Sequence, residues 1–441
     1  MARRKRRITS LGGGSAGLSV GHYARAREWP FVIYERARQW GGNCVTHEWN
    51  GFRYDSGAHR VHGADQEVVR EINRLMNGNL QVVRSPSFIQ TEDARYAFPL
   101  DLRDILKNMP IRNLASGIRD LLWARCARNG GVRNFMDLAV RRYGAFFARK
   151  FLLDYTEKVW GRPCEQLDQQ LAGKRLAGLR PGDLLSELVR KNGASRHMEG
   201  DFHYPGGGIG RLMDALAGTC GPENIRLGNA VTRILHDQRR ILAIELNGGE
   251  QVEVEEVVST LPMNRCLQML DPALASKELA GCFHFRTLVL VALFLDKERV
   301  MDAASAYFSA RDVRFTRACE PRNRCASMSP PGKTSLVVEI PCDRTDPVWM
   351  RPDTEIARYV IDTFCQWGWF REAELLGSSV HRMEEAYPVI TVDSRRHIAE
   401  ADQILRQITN LSILGRNGRF SYSSIQDQVH WAKAVVEKLD T

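Results

Sequence analysis

Gly12, Gly14 and Gly17, with Glu35 beyond them, have the residue types and spacing to hold a dinucleotide. In LGGGSAGLSVGHYARAREWPFVIYE, Gly12 suits a tight turn from strand to helix. Gly14 leaves space for a pyrophosphate against the backbone, and Gly17 lets helix lie close on strand. The amides of Ser15 and Ala16 open that helix and face the phosphates. Glu35 closes the short apolar strand Phe31–Tyr34 about 20 residues past the glycines, where a carboxylate can accept from a ribose hydroxyl, with Arg36 beside it. A second glycine pair, Gly41-Gly42 with Asn43, and a third turn, Gly415-Arg416, lie farther along. A ligand long enough to need backbone approach at several places explains these glycines together.

The elements that must position this turn belong to a folded protein. The chain has 441 residues, 44% hydrophobic and 26% charged, which suits two or three domains rather than a disordered chain. Its longest apolar run, Thr287 to Leu295, is half of what a bilayer-spanning helix needs and predicts a buried strand; no transmembrane segment is expected. Ten cysteines include no CxxC pair and no zinc spacing. Neither a metal site nor a disulfide framework is expected, and free thiols suit a cytoplasmic location. The basic start, Ala2 to Arg7, lacks the apolar stretch of a signal peptide and predicts a solvated strand start. The formal charge of +10 favours anionic ligands, but without a nucleic-acid-binding motif it predicts no nucleic-acid partner.

Changes of pattern divide the chain. The expected fold class is α/β: a Rossmann-like nucleotide-binding domain built from residues 1–100, 196–270 and 396–441, an inserted helical lobe over 101–195, and an antiparallel β-sheet substrate domain over 271–395. In the lobe, Leu102 to Cys126 and Asn134 to Trp160 carry apolar residues at helical spacing. Gly206-Gly207-Gly208 predicts a loop opening a helix through Met213 to Leu216. Strands are predicted around the Asn247-Gly248-Gly249 turn, at Arg286–Leu295, Thr334–Ile340 and Leu411–Leu414, and a last helix from Ile425.

Gly41-Gly42-Asn43 and Tyr54-Asp55-Ser56-Gly57-Ala58-His59-Arg60-Val61-His62 resemble the FAD-binding stretches of glutathione-reductase-like flavoproteins. The segment Tyr155-Thr156-Glu157-Lys158-Val159-Trp160-Gly161-Arg162 is similar to a signature of prokaryotic UDP-galactopyranose mutases. Lys174-Arg175, Gly206 to Gly208, Phe315-Thr316-Arg317, Tyr387-Pro388-Val389, and Gly415-Arg416 with Tyr422 extend the likeness along the chain. The resemblance includes the protoporphyrinogen-oxidase-like proteins. Two positions depart: Ala97-Phe98-Pro99 stands where the mutases carry an asparagine before Leu-Pro, and Ser423-Ser424 where a carboxylate follows the last tyrosine.

The resemblance implies FAD, held by the residues named at 12, 14–17, 35, 36 and 41–43 together with Gly415, Arg416 and Tyr422. His59 lies near the flavin or is an ordinary satisfied histidine; Val231 lies near the adenine or is plain core. It further implies substrate contacts from Tyr155, Trp160, Arg175, Arg317, Tyr387 and Tyr422, with Arg175, Arg317, Trp160, Tyr387 and His59 closest to the chemistry. The implied reaction isomerises a nucleotide-linked sugar through N5 of the reduced flavin, with NAD(P)H as an external reductant and a homodimer as the assembly. The alternative is an FAD oxidoreductase of the protoporphyrinogen-oxidase or amine-oxidase kind, in which substrate hydride passes to flavin.

Overall fold

The computed structural model describes residues 5–62, 65–98, 100, 102–126, 131–171 and 201–440. Ile8–Leu11, Phe31–Glu35 and Glu256–Ser259 are short, mostly apolar and buried almost throughout, the pattern of parallel strands covered on both faces. They form the centre of a five-stranded parallel sheet in the order Leu411–Ile413, Glu256–Ser259, Ile8–Leu11, Phe31–Glu35, Ile225–Leu227. Ile8 pairs with Phe31 and Leu11 with Tyr34, so the glycine turn and Glu35 emerge side by side at the carboxyl edge. The basic start is tied to this sheet: Arg6 pairs with Glu256 at 2.8 Å and the Arg7 amide donates to Glu255 at 2.6 Å.

Three helices cover one side of this sheet: Ser15–Ala26, Gly210–Cys220 and the C-terminal Ile425–Asp440. Leu18, Val20, Leu212, Leu216, Val429 and Val436 interdigitate beneath them in one buried cluster. A four-stranded sheet built on Val231–His236 and Ile241–Leu246 lies in a second core with Val257 and Phe420. The Thr287–Leu295 run is all but the first two residues of strand Phe285–Leu295, which is flanked by Leu375–Pro388 and Thr334–Cys342 in a seven-stranded mixed sheet. Only the pairing of Ser305–Phe308 with Ser87–Gln90 is parallel there. This combination of a parallel sheet with antiparallel sheets and helices is the α/β class expected.

The helical segment differs in detail from its apolar periodicity. Leu102 to Cys126 is two helices, Leu102–Asn108 and Ile111–Cys126, because Pro110 has no amide to donate and disfavours helical geometry in the residue before it. Asn134 to Trp160 is interrupted at Gly144, whose φ of 74° is open to glycine at little cost. A Cβ there would stand 2.7 Å from the Leu121 amide, so the kink also lets the two helices touch by backbone. A π-helical turn, Arg149–Leu153, then joins Asp154–Trp160, which ends in left-handed Gly161. Lys174 and Arg175 lie outside the described residues.

The glycines of the first turn separate by cause. A Cβ on Gly17 would lie 1.9 Å from the Gly12 carbonyl oxygen, so this residue sets helix–strand packing. A Cβ on Gly14 would make only ordinary contacts, at 3.8 and 3.9 Å, and its φ of −76° suits any residue. Gly17→Ala is therefore expected to destabilise the fold by about 2 kcal/mol or more, an overpacking effect. Gly14→Val is expected to fold as wild type and to retain little FAD. Urea unfolding and flavin absorbance check both; comparable flavin content in Gly14→Val and wild type would refute the second.

Candidate functional site

A groove of about 1330 Å³ runs across the carboxyl edge of the parallel sheet. Its walls are backbone from three remote loops. Gly14 pairs with Gly41, the Gly41 amide donates to Gly13 O at 2.9 Å, and a Cβ on Gly42 would come within 3.2 Å of Gly14 Cα. Gly12, Ser15, Ala16 and Gly415 line it beside them, while Gly17 does not reach its surface. Glu35 is buried and fixed by two amides: Oε2 accepts from Gly13 N at 2.7 Å and Oε1 from Ala37 N at 2.8 Å. Val231 and Arg36 lie on the same wall, Arg36 being 3.6 Å from Glu385. Asn43 and Asn417 both donate their side-chain amides to the Glu385 carbonyl, at 2.9 and 2.8 Å, binding two loops to strand Leu375–Pro388.

Several buried polar atoms of groove residues have no hydrogen-bond partner: His59 Nε2, Arg317 Nε, Arg416 Nε, Ser423 Oγ and Gln426 Oε1. Buried polar groups are normally paired, so donors and acceptors gathered along one groove fit a ligand rich in phosphate, hydroxyl and ring-nitrogen atoms. With the room at Gly14, they suit a dinucleotide.

His59, Arg317, Arg416 and Tyr422 also border a smaller cavity of about 100 Å³ that Tyr155, Trp160, Tyr387 and Glu339 complete. Trp160 meets Tyr387 and Tyr422 edge-on, with ring centroids 5.9 and 5.6 Å away. Arg416 lies over both tyrosines, 5.5 and 4.4 Å from their centres. Such edge-to-face and cation–π contacts fix the rings as a rigid wall. Lys158 holds the helix carrying Tyr155 and Trp160 in place by donating to the carbonyls of Phe308 and Ala310 at 3.0 and 2.7 Å.

Arg317 is buried and donates Nη2 to both oxygens of Glu339, at 2.6 and 2.7 Å. Burial alone would lower its pKa, yet the Glu339 carboxylate holds it well above the ordinary value, so the guanidinium stays charged. The arginine reaches the cavity already neutralised, a partner that its resemblance to diphosphate-binding arginines gives no sign of. The signal for Glu339 was local: it is the lone charge in the strand TSLVVEIPC, whose other residues are also buried. Burial, followed by Arg416, Arg324 and Arg317, pushes the His59 pKa down to about 3, leaving a neutral imidazole.

Other sequence features have structural work. The Gly206–Gly208 loop lies off the dinucleotide groove, with Gly208 against Thr46. Phe98 packs on Tyr307 with ring centroids 5.0 Å apart. Ser424 caps the last helix: its amide and hydroxyl donate to Asp427 Oδ2, each at 2.7 Å. All ten cysteines are free, and no cluster among the described residues could hold a metal. No helix among them is long and apolar enough to cross a membrane.

Glu339→Gln leaves a buried guanidinium without its counter-charge, and is expected to cost about 3–5 kcal/mol in urea unfolding, whereas Arg317→Met with Glu339→Leu costs far less. Equal stability of Glu339→Gln and wild type would contradict the pair's assigned role. His47, half-buried beside His381, is pushed down to about 4 by desolvation and then by that second imidazole. Because both histidines bind protons more weakly folded than unfolded, their contribution is full above about pH 6.5 and is lost as pH falls toward 4 and then 3. Each is expected to remove up to about 1.4 kcal/mol per pH unit in that window. Thermal unfolding between about pH 6.5 and 5 should show the loss, less steeply in His59→Asn, before carboxylates titrate; a flat profile would refute it.

No curated protein matches the sequence. Solved structures do match in fold. Reduced UDP-galactopyranose mutase superposes with a TM-score of 0.87 at 17% identity, over 99% of this chain and 94% of that one. A provisionally named protoporphyrinogen oxidase from Exiguobacterium sp. 255-15 gives 0.79 at 17% identity, over 100% and 99%. Cyclohexylamine oxidase from Brevibacterium oxydans IH-35A gives 0.70 at 13%, over 99% of each chain. Residues 15–391 match the family described as flavin containing amine oxidoreductase. That match spans most of the sequence: the chain belongs to the flavin containing amine oxidoreductase family and is an FAD-dependent flavoenzyme.

Proposed function

We propose that this flavoenzyme rearranges a nucleotide-linked sugar in the aromatic cavity, as its resemblance to UDP-galactopyranose mutases implies. One observation carries the reading: Tyr155 and Trp160 of the mutase-like signature, Arg317, Tyr387 and Tyr422, drawn from four distant stretches of sequence, border one cavity that opens on the dinucleotide groove. FAD would be held by Gly12, Gly14 to Ala16, Glu35, Gly41 to Asn43, His59, Gly415 and Arg416, and when bound it supplies nucleophilic or hydride-accepting chemistry at its ring. NAD(P)H is its proposed reductant.

The chain's own groups divide the remaining work. Trp160, Tyr387 and Tyr422 offer ring faces and edges to the apolar side of a sugar and keep water out. Glu339 orients the Arg317 fork, whose unpartnered Nε remains to donate to a phosphate or sugar oxygen. Neutral His59 accepts or donates at Nε2 without placing another cation beside Arg416. Arg175 is the proposed second diphosphate contact.

The second reading, an oxidoreductase passing substrate hydride to flavin, is favoured by a specific feature: Glu339 cancels the charge of Arg317 in the cavity. A diphosphate wants uncancelled cations, whereas an apolar or amine substrate does not. Redox dependence separates the two. Under the mutase reading, anaerobically reduced protein interconverts sugar ring forms of a nucleotide sugar without stoichiometric loss of reductant, and oxidised protein does not. Steady oxygen uptake with an amine or porphyrinogen substrate, without isomerisation, would overturn it. In a Glu339→Gln background, Arg317→Ala is expected to weaken nucleoside-diphosphate binding about ten- to a hundredfold, as loss of one charged hydrogen bond does. Flavin fluorescence titration reads this, and undiminished affinity would withdraw Arg317 from substrate binding.

A further inference from the structure

Helix Ile111–Cys126 in the helical lobe turns an apolar stripe outward. Ile111, Ile118 and Leu122 are 81%, 46% and 56% exposed, and Ala115 lies among them. At 3.6 residues per turn these four positions fall within an arc of about 60°. Trp123, 76% exposed, lies about 80° around the helix from the stripe's edge at Ala115, beyond Arg119 and Arg112, and Leu106 of the preceding helix adds 43% exposure. Isolated exposed apolar residues need no explanation, but a periodic row with an exposed tryptophan on the same helix does.

The charges around the row are one-sided. Between residues 102 and 126 the sequence carries Arg103, Lys107, Arg112, Arg119 and Arg125 against Asp104 and Asp120. Both acids are engaged within the protein. Asp104 accepts from Ala97 N at 2.6 Å and Asn108 Nδ2 at 2.7 Å, and Asp120 from Phe146 N at 3.2 Å and from the neighbouring Arg119 at 3.4 Å. Arg112 is exposed and the Arg119 side chain is 78% exposed, and both follow the apolar stripe around the helix. Behind Trp123, a groove of about 940 Å³ between this helix and Phe135–Ala148 is walled by Val132, Met136 and Val140 together with Asp120, Asp137 and Arg141.

We propose that this face docks on an anionic phospholipid surface, with Ile111, Ile118, Leu122 and Trp123 entering the headgroup–acyl boundary and the flanking arginines meeting lipid phosphates. An amphipathic helix with cations beside its apolar row and a tryptophan beyond them lies in the interface plane without spanning the bilayer. Charge complementarity selects this occupant. A two-fold dimer through the same patch would bring the cationic rims of both copies together, which is unfavourable, whereas an anionic surface attracts them.

The test is vesicle co-sedimentation of the FAD-loaded protein. Wild type is expected to bind vesicles of mixed phosphatidylcholine and phosphatidylglycerol at least tenfold more tightly than phosphatidylcholine alone, less so at high salt. Leu122→Asp with Trp123→Ser should lose at least tenfold of this binding, and Arg112→Glu with Arg119→Glu should lose its dependence on anionic lipid. Both variants alter exposed positions, and unchanged flavin spectra establish that they fold. Failure of wild type to bind, equal binding to both vesicle types, or equal binding by the apolar variant would overturn the proposal. So would self-association that the apolar variant abolishes in a protein indifferent to vesicles.

Discussion

Backbone-to-backbone contact across the dinucleotide groove is the constraint on which the rest of the structure depends. Gly14 bridges to Gly41, and Gly42 approaches Gly14 so closely that a Cβ on Gly42 would stand 3.2 Å from Gly14 Cα, and the loops carrying them come from different strand ends. For them to meet, Ile8–Leu11 must pair with Phe31–Glu35 in one register, which also delivers Glu35 to the Gly13 amide. The helix after the turn must lie close enough that Gly17 touches Gly12. Asn43 and Asn417 then carry the constraint outward, because both donate to one carbonyl on the strand that ends at Tyr387. Groove and cavity are therefore held in fixed relation by backbone pairing within the sheet and by two short amide side chains that share one backbone carbonyl.

Electrostatics in the cavity follow from that burial. Arg317, Arg324 and Arg416 are three cations around His59, and a buried charge is costly unless compensated. Glu339 compensates Arg317 directly, the tyrosine rings receive Arg416, and His59 remains neutral. The result is a polar chamber in which Glu339 cancels Arg317 and the charge of Arg416 remains, with unpartnered donors at its rim. That description suits a ligand with both apolar faces and hydrogen-bonding oxygens, and it explains why a simple count of arginines overstates the positive potential inside.

How much was legible in the sequence depended on the range of the interaction. The first turn was readable because a strand, three glycines, a helix and an acid within one short stretch fix each other locally. The split at Pro110 was missed because apolar spacing runs on across it, although proline's effect is local. Gly144 was not, because a lone glycine inside a helical pattern is tolerated, and its kink arises from contact with Leu121. The cavity is the most non-local feature: Trp160, Tyr387 and Tyr422 could be grouped only through a family resemblance, and nothing near Arg317 in sequence indicates Glu339. The charge of Glu339 inside an apolar strand was the available clue. Asp427, three residues past Ser424, shows the converse: a carboxylate close to the position where the mutases carry one is committed to a helix cap.

The central claim is that groove and cavity form one continuous site, with the nucleotide end at Glu35 and Val231 and the reacting end at His59 and Trp160. A crystal structure of the protein saturated with FAD tests this most directly. Density with the adenosine beside Glu35 and Val231, the pyrophosphate over Gly14 and the ring system against Ala58, His59 and Arg416 is the expected result. A dinucleotide lying in the reverse direction, or bound away from these residues, would contradict it.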